Sequence, residues 1–465
     1  MPVGRTWPIV AGSAAIGLAV AVGAVATAGP WESGQRTAER AYAAARDRRL
    51  DRPAGGAHAA PGHGAGPAAW ALPPARAAAP VLVPASAGGT GTAPPLAPRL
   101  NPLMSAPGLG PLTTGAVIDV AGGRLLYGHD PATATTPAST TKLATAVAAL
   151  GVLGPDHRLT TSVVSTGPGR IVLVGGGDPT LDLTQLAADT AAALKSGGTR
   201  TVTLTYDTSW FGAPALHTIG YNDNLAPVTA LMADEGRLDN SSSGPAPRAQ
   251  DPAASAAASF ASLLAGHGVT VRDEPEPGSG KGGTVLATQQ SAALSDLVER
   301  MLTNSDNDLA EALVRQTARA LGLPATFAGG AQAVRRVLGR YGVPLTGAVF
   351  TDGSGLDHRD RLSPQILARV LALAAAPDHP ELRPVLTGLP VAGFTGTLSS
   401  RFRATPGAGV VHAKTGTLTG TNTIAGTTVT PEGRLLAFSF MTQGAPDPSA
   451  AQSALDRLAT ALAGS

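Results

Sequence analysis

Thr136-Pro137-Ala138-Ser139-Thr140-Thr141-Lys142, running on through Leu143-Ala144-Thr145-Ala146-Val147-Ala148-Ala149-Leu150-Gly151, decides how this chain is read. Locally it has the signals of a helix start. Thr136 suits the N-cap, Pro137 the first helical position and Gly151 the stop, while Leu143, Val147 and Leu150 fall on one apolar stripe. Ser139 and Lys142 are three residues apart, so on a helix they share one face. A serine one turn before a lysine, at a positive helix end, is a candidate nucleophile with its base. The same pair also fits an ordinary capped helix, and the rest of the chain has to decide between the two.

Composition narrows the choice. The 465 residues carry 34 Lys plus Arg against 32 Asp plus Glu, and no basic run or stripe marks a nucleic-acid footprint. Cysteine is absent, which excludes disulfides and thiolate metal sites. Only four of the basic residues are lysines: Lys142, Lys195, Lys281 and Lys414. Arginine keeps its proton in a protein, whereas a lysine can lose it when its surroundings lower its pKa. Each lysine in an arginine-biased chain is therefore a candidate for proton chemistry.

Outward toward the N-terminus, Pro8 to Ala28 is an uncharged run. At about 1.5 Å per residue it is long enough to span a bilayer of roughly 30 Å. Residues 1–30 therefore read as a signal or membrane-anchor segment, with Ala26-Thr27-Ala28 resembling a cleavage site. The arginines at 36, 40, 46, 48 and 49 run against the positive-inside rule for an exported chain, so the export reading rests on the chemistry below. Residues 35–52 have the pattern of a short charged helix. Residues 31–105 as a whole read as an Ala/Pro/Gly-rich linker, too poor in apolar surface to fold.

The folded part opens with strands at Gly115–Val120 and Arg124–Tyr127, then the Ser139 helix. Short strands at 159–164, 170–174 and 201–205 follow, with Gly175-Gly176-Gly177-Asp178 as a tight turn lacking the spacing of a phosphate loop. Helical periodicity returns near Ser291, with Leu294, Leu297, Val298 and Met301 on one face and a second helix beyond Asp306. Ser305-Asp306-Asn307 thus lies in an interhelical junction, where Asn307 suits an N-cap. Further helices are predicted at 332–341 and 364–376, with Asp352-Gly353-Ser354-Gly355 as a structural turn between them. Strands at 409–414 and 435–440 and a closing helix at 449–463 complete the chain. The strand register puts His412 on the face of Lys414, where a structural role is the plainer reading.

Three short patterns now stand in chain order: Ser139-x-x-Lys142, Ser305-x-Asn307 and Lys414-Thr415-Gly416, each present once. Each is weak alone. Together and in this order they would arise on the order of once in a thousand shuffled chains. They are the three signatures of the serine penicillin-recognising enzymes. The chain most resembles the D-alanyl-D-alanine carboxypeptidase/endopeptidases of the class C low-molecular-mass penicillin-binding proteins. Supporting stretches are Gly176-Gly177-Asp178-Pro179-Thr180-Leu181, Asp352-Gly353-Ser354-Gly355-Leu356 and Leu389-Pro390-Val391-Ala392-Gly393. The Ser139 to Ser305 interval is short for that group, which puts endopeptidase activity in more doubt than carboxypeptidase activity.

The resemblance implies an α+β transpeptidase-like domain, an antiparallel sheet flanked by helices, formed by residues 106–161 and 281–465. A smaller β-rich insert, residues 162–280, interrupts it. The resemblance further implies that Ser139 forms an acyl-enzyme, that Lys142 takes its proton and that Ser305 relays that proton to the leaving amine. Asn307 would hold Lys142 and the substrate amide. Lys414, Thr415, Gly416 and Thr417 would bind the terminal carboxylate, with the backbone N–H groups of Ser139 and Thr417 as oxyanion hole. No metal or organic cofactor is called for. The partners implied are peptidoglycan stem peptides ending in D-Ala-D-Ala, β-lactams, and a membrane if the N-terminal segment is kept. For Lys142 to be neutral near pH 7.4 its surroundings must supply about 4 kcal/mol, from burial, the helix end and Lys414. Rival readings are a β-lactamase, an endopeptidase on the same fold, or an inert wall-binding protein. Against a class A β-lactamase, no Glu-x-x-Leu-Asn follows the second motif, and Glu311 lies inside the next helix.

Overall fold

The computed structural model describes residues 95–464. The expected membrane or signal segment, the charged helix at 35–52 and the linker up to residue 94 lie outside them, as does the whole of a first unit, Met1–Ala79. Among the described residues no helix is long and apolar enough to cross a membrane.

The chain enters through helix α1 (Ala97–Met104), inside the stretch expected to be linker. Leu100 and Met104 bury against the main core, and that contact, invisible in local composition, is what orders the segment. Strands β1 (Leu112–Asp119) and β2 (Arg124–His129) form a hairpin. A 3-10 turn, Ala138–Thr141, then leads directly into α2 (Lys142–Leu153).

The next segment folds around its own sheet. It contains β3 (Thr160–Gly167), β4 (Arg170–Val174), β5 (Asp178–Leu181), α3 (Leu183–Ser196), β6 (Thr201–Asp207), β7 (Leu231–Ala233), α4 (Pro252–Gly266), β8 (Thr270–Val271), β9 (Glu276–Pro277) and β10 (Thr284–Gln290). The sheet order is β10-β3-β4-β6-β8 with β9 on β6, and β4 and β6 run parallel, as a helical crossover permits. Helices α3 and α4 were not read from the sequence, because alanines blur their apolar stripe. Each is capped by an aspartate: Asp182 accepts from Thr184 N–H, and Asp251, just before Pro252, accepts from Ala254 N–H.

Helices α5 (Leu294–Asn304), α6 (Asn307–Ala320), α7 (Phe327–Arg340), α8 (Pro364–Ala375) and α9 (Pro384–Thr387) follow. Strands β11 (His412–Leu418), β12 (Thr421–Val429) and β13 (Leu435–Gln443) and helix α10 (Pro448–Ala463) close the chain. The central sheet has the order β11-β12-β13-β1-β2, every pairing antiparallel. Its strands alternate as their period of two requires. Leu436, Phe438 and Phe440 enter the core shared with α1 and α10, while Ala437 and Met441 enter the core of α2 and α5–α8. This is an α+β fold with helices on both faces of an antiparallel sheet. Strand β12 escaped the sequence reading because eight of its nine residues are buried, so it shows no polar and apolar alternation.

Candidate active site

The expected helix start differs from the structure in three details. Thr136 does not cap; its hydroxyl accepts from Arg361 at 3.0 Å and faces the His358 carbonyl. Ser139 lies on the 3-10 turn, and α2 begins only at Lys142. The helix stops at Gly154, whose φ of +83° suits glycine, rather than at Gly151. Gly151 is needed for close packing instead, since a Cβ there would come within 2.6 Å of the Tyr341 hydroxyl.

The turn is pressed against β11 from above. A Cβ on Gly416 would sit 2.2 Å from Thr423 Oγ1 and 2.7 Å from the Pro137 carbonyl oxygen. Thr423 Oγ1 in turn donates to that Pro137 carbonyl at 2.8 Å. Ala138, immediately before Ser139, has φ +49°, a conformation that costs a non-glycine residue about 1 kcal/mol or more. The strain is held by packing on both sides: a Cβ on Gly355 would approach the Ala138 carbonyl oxygen to 2.0 Å.

Lys142 is fully buried, and its amine touches three oxygens: Asn307 Oδ1 at 2.6 Å, the Ser354 carbonyl at 2.7 Å and Ser139 Oγ at 3.1 Å. Burial lowers its pKa to about 8, against the opposing charges of Asp352, Glu311, Asp306 and Asp308. A neutral amine has two N–H donors and one lone pair. It can donate to Asn307 and Ser354 while accepting the Ser139 proton, which is the hydrogen-bond pattern of a general base.

Asn307 is the first residue of α6, not its cap. Asp306 is the cap, accepting from Leu309 N–H at 2.9 Å, which leaves Asn307 free to reach Lys142. Its Nδ2 donates to the Asn224 carbonyl at 2.9 Å, on the segment between β6 and β7. Ser305 ends α5 in the left-handed region, φ +59°, and lines the same cleft as Ser139. All three donors of the Lys142 ammonium go elsewhere, so Ser305 flanks the Ser139–Lys142 pair.

The third pattern divides between two faces of β11. Thr415 and Thr417 line the cleft, and Thr415 Oγ1 donates to Thr397 Oγ1 at 2.8 Å. Lys414, by contrast, is fully buried and donates to the Thr415 carbonyl at 2.8 Å. Burial, then the neighbouring Lys142, pushes its pKa well down. Lys414 is thus buried beside Lys142, on the β11 face that packs against the Ser139 turn, and is not an exposed point charge.

The cleft holds about 450 Å³, and residues 162–280 complete its wall through Asn224, Arg237 and Arg248. Behind that wall the carboxylates of Glu235, Asp306 and Asp308 bring oxygens within 4.8 Å of one another. Arg237 contacts Glu235 at 2.9 Å and Arg248 contacts Asp308 at 2.9 Å, while Arg300 pairs with both Glu235 and Asp306. With three guanidinium groups on three carboxylates, the cluster is an ionic clamp between this segment and the Ser305–Asp308 turn.

Two contributions had no side-chain signal in the sequence. The turn at 352–355, read as structural, supplies the Ser354 carbonyl to Lys142. Glu311 Oε1 holds that turn by accepting from Gly353 and Ser354 N–H at 2.9 and 2.8 Å. Glu311 is fully buried, so it faces the turn and not the cleft.

Comparison with known proteins finds relatives over most of the chain. The model of the D-Ala-D-Ala carboxypeptidase 3 (S13) family matches residues 96–247 and 239–462. Carboxypeptidase DacB of Mycolicibacterium smegmatis is 36% identical over 427 residues, covering 85% of this chain and 90% of the relative. The D-alanyl-D-alanine carboxypeptidase of an Actinomadura strain is 31% identical, covering 77% and 82%. Among solved structures, penicillin binding protein 4 from Haemophilus influenzae superposes with a TM-score of 0.67 at 23% identity, over 78% of this chain and 98% of that one. This last likeness is one of fold.

Proposed function

The chain belongs to the D-Ala-D-Ala carboxypeptidase 3 (S13) family, and from that premise we propose that it is a serine-type D-Ala-D-Ala carboxypeptidase acylated at Ser139. The observation that carries the reading is the Lys142 amine, buried and shared between Ser139 Oγ and Asn307 Oδ1.

Neutral Lys142 accepts the Ser139 proton as Oγ attacks the carbonyl of the penultimate D-alanine. The resulting oxyanion takes hydrogen bonds from the N–H groups of Ser139 and Thr417, the latter on the edge strand of the sheet. Ser305 passes the proton from Lys142 to the leaving amine, the C–N bond breaks and D-alanine departs. Water then attacks the ester, with its proton returning through Lys142 to Ser139 Oγ. Asn307 keeps the amine aimed. Thr415 and Thr417 hold the substrate's terminal carboxylate from the cleft lining, and Lys414, buried beside Lys142, completes that subsite.

The peptidoglycan stem peptide is the substrate in this reading, and β-lactams acylate the same serine. Glu311 is committed to the turn at 353–354, so no second carboxylate drives rapid deacylation, and the penicilloyl-enzyme is long-lived. The expected catalytic part, residues 106–161 and 281–465, and insert, 162–280, describe the division apart from its edges: β10 (Thr284–Gln290) pairs with β3 from Thr160 on, so both strands go with the insert, whose Asn224, Arg237 and Arg248 complete the cleft. The place of action is the cell envelope, outside the cytoplasm, where the substrate is, with residues 1–30 as export signal or anchor.

The test is to incubate the purified chain with a stem peptide ending in D-Ala-D-Ala and, separately, with penicillin. Release of D-alanine by the wild type and none by Ser139→Ala is the expected result. Rapid penicillin turnover without D-alanine release would replace this reading with a β-lactamase.

A further inference from the structure

His217 lies on the segment between β6 and β7, about 80 residues beyond Ser139, yet it is buried with 4% of its surface exposed. Its Nε2 is 3.0 Å from Asp352 Oδ2. Its Nδ1 accepts from Ile219 N–H at 3.3 Å, so the neutral ring carries its proton on Nε2 and donates it to Asp352. A second proton on Nδ1 would not change that bond. The ring plane is fixed as well: it meets Phe327 edge-on at 5.2 Å, and the other partner of Phe327 is the Arg315 guanidinium, 4.4 Å from the ring centroid.

Asp352 passes this restraint on. Its Oδ1 accepts from Gly355 N–H at 2.6 Å, and its Oδ2 accepts from Asp357 N–H at 2.8 Å and faces the Ser354 hydroxyl at 3.3 Å. The turn from 352 to 357 is thus wound around one carboxylate. The Ser354 carbonyl, inside that turn, is one of the three oxygens on Lys142. Thr218, next to His217, also donates to Asp357 at 3.1 Å.

We propose that His217 is a positioning residue for Lys142: from the inserted segment it fixes the Asp352 carboxylate, and Asp352 fixes the turn that presents the Ser354 carbonyl to the Lys142 amine. The insert then contributes to the chemistry as well as to the cleft wall. The inference rests on the reading of Lys142 as the base that activates Ser139.

The electrostatics agree. The titratable groups around the pair are Glu311 on α6, Asp357 and Asp360 on the turn, Lys142 on α2 and the neighbouring Arg359. Burial and the Asp352 charge push Asp360 up to about 9, so Asp360 is protonated at neutral pH and the charge resides on Asp352. Burial works against that charge, but the His217 hydrogen bond and the backbone N–H groups outweigh it and hold Asp352 below the usual range. Asp352 is also the foremost charge opposing the depression of the Lys142 pKa. Removing the Asp352 charge would let Lys142 lose its proton more easily and move the acid limb of acylation to lower pH, whereas removing only the His217 donor leaves the carboxylate ionised on its Gly355 and Asp357 N–H bonds but loosens the turn. The loosened Ser354 carbonyl aims the amine less well, and the maximal rate falls.

The experiment measures acylation of the full chain by fluorescent penicillin between pH 5.5 and 9, with thermal unfolding of each variant alongside. His217→Ala is expected to acylate at least about tenfold more slowly, the usual consequence of losing a hydrogen bond to a buried charge. His217→Gln can donate to Asp352 and accept from Ile219, and is expected to stay within about threefold of wild type. If His217→Ala does not fold, His217→Gln and Asp352→Asn decide. Asp352→Asn, which removes the charge, is expected to shift the limb down while His217→Gln does not. Acylation of His217→Ala at the wild-type rate overturns the inference, as does a folded His217→Gln as slow as the alanine variant or an unshifted limb in Asp352→Asn. A wild-type chain that is never acylated overturns the carboxypeptidase reading itself, and this inference with it.

Discussion

Lys142 and Asn307 are 165 residues apart in the chain, and their polar atoms are 2.6 Å apart in the fold. The bond joins the first residue of one helix to the first residue of another, beneath the cleft that Ser139 and Asn307 line. Asn307 also ties this point to the Asn224 carbonyl, so one amide connects the base, the Ser305 turn and the inserted segment.

Asn307→Ala is expected to slow acylation by penicillin by about 10- to 100-fold, since it removes an acceptor from a buried amine. Lys142→Arg is expected to abolish acylation, because a guanidinium keeps its charge and cannot take the Ser139 proton. Both are read by the rate of covalent labelling. A Lys142→Arg chain that labels at the wild-type rate would refute the lysine-base mechanism.

The rate of acylation is expected to rise with pH through about 8, the value to which burial lowers Lys142. The sign follows from the role of the amine: the protonated form below that pH is inactive and the neutral form above it is the base. At pH 7 about one-tenth of the maximal rate should remain. A pre-steady-state penicillin titration from pH 6 to 9 checks this.

Gly416→Ala is expected to cost more than about tenfold in acylation and to lower thermal stability. Its Cβ would enter the space of Thr423 Oγ1 and the Pro137 carbonyl, both backbone-anchored, and would lift the Ser139 turn off β11. Thr423→Val tests the same contact more gently. Losing the bond to Pro137 should cost about 1 kcal/mol in urea unfolding.

Glu311→Gln is expected to leave the lifetime of the penicilloyl-enzyme unchanged. The side chain is buried and accepts from Gly353 and Ser354 N–H through one oxygen, which glutamine retains. A lifetime lengthened by about tenfold or more, measured by release of bound fluorescent penicillin, would instead make Glu311 a deacylation base.

Glu235→Ala is expected to destabilise the chain by about 3 kcal/mol or more, because Arg237, Arg248 and Arg300 would lose a buried partner. The loss is read from urea midpoints. Glu235→Gln, which retains hydrogen bonding, should cost less.

Much of this protein is determined by sequence alone. Spacing along one helix turn places Ser139 next to Lys142, periodicity yields the helices flanking Ser305 and Asn307, and alternation yields β1, β13 and the strand of Lys414. These relations are short-range, so residue order carries them. What only the tertiary structure decides is which groups surround the lysine and with what charge. The acceptor from Ser354 is a backbone carbonyl, common to every residue type, and so leaves no mark in the sequence. His217 and Asn224 reach the site through packing about 80 residues along the chain from Ser139, a distance at which local patterns say nothing. The lowered Lys142 pKa, expected from burial, the helix end and Lys414, is set first by burial, whose extent is a property of the folded interior. Lys414, legible as a lysine on a strand, comes to lie buried beside Lys142 only because that face of β11 packs against the Ser139 turn.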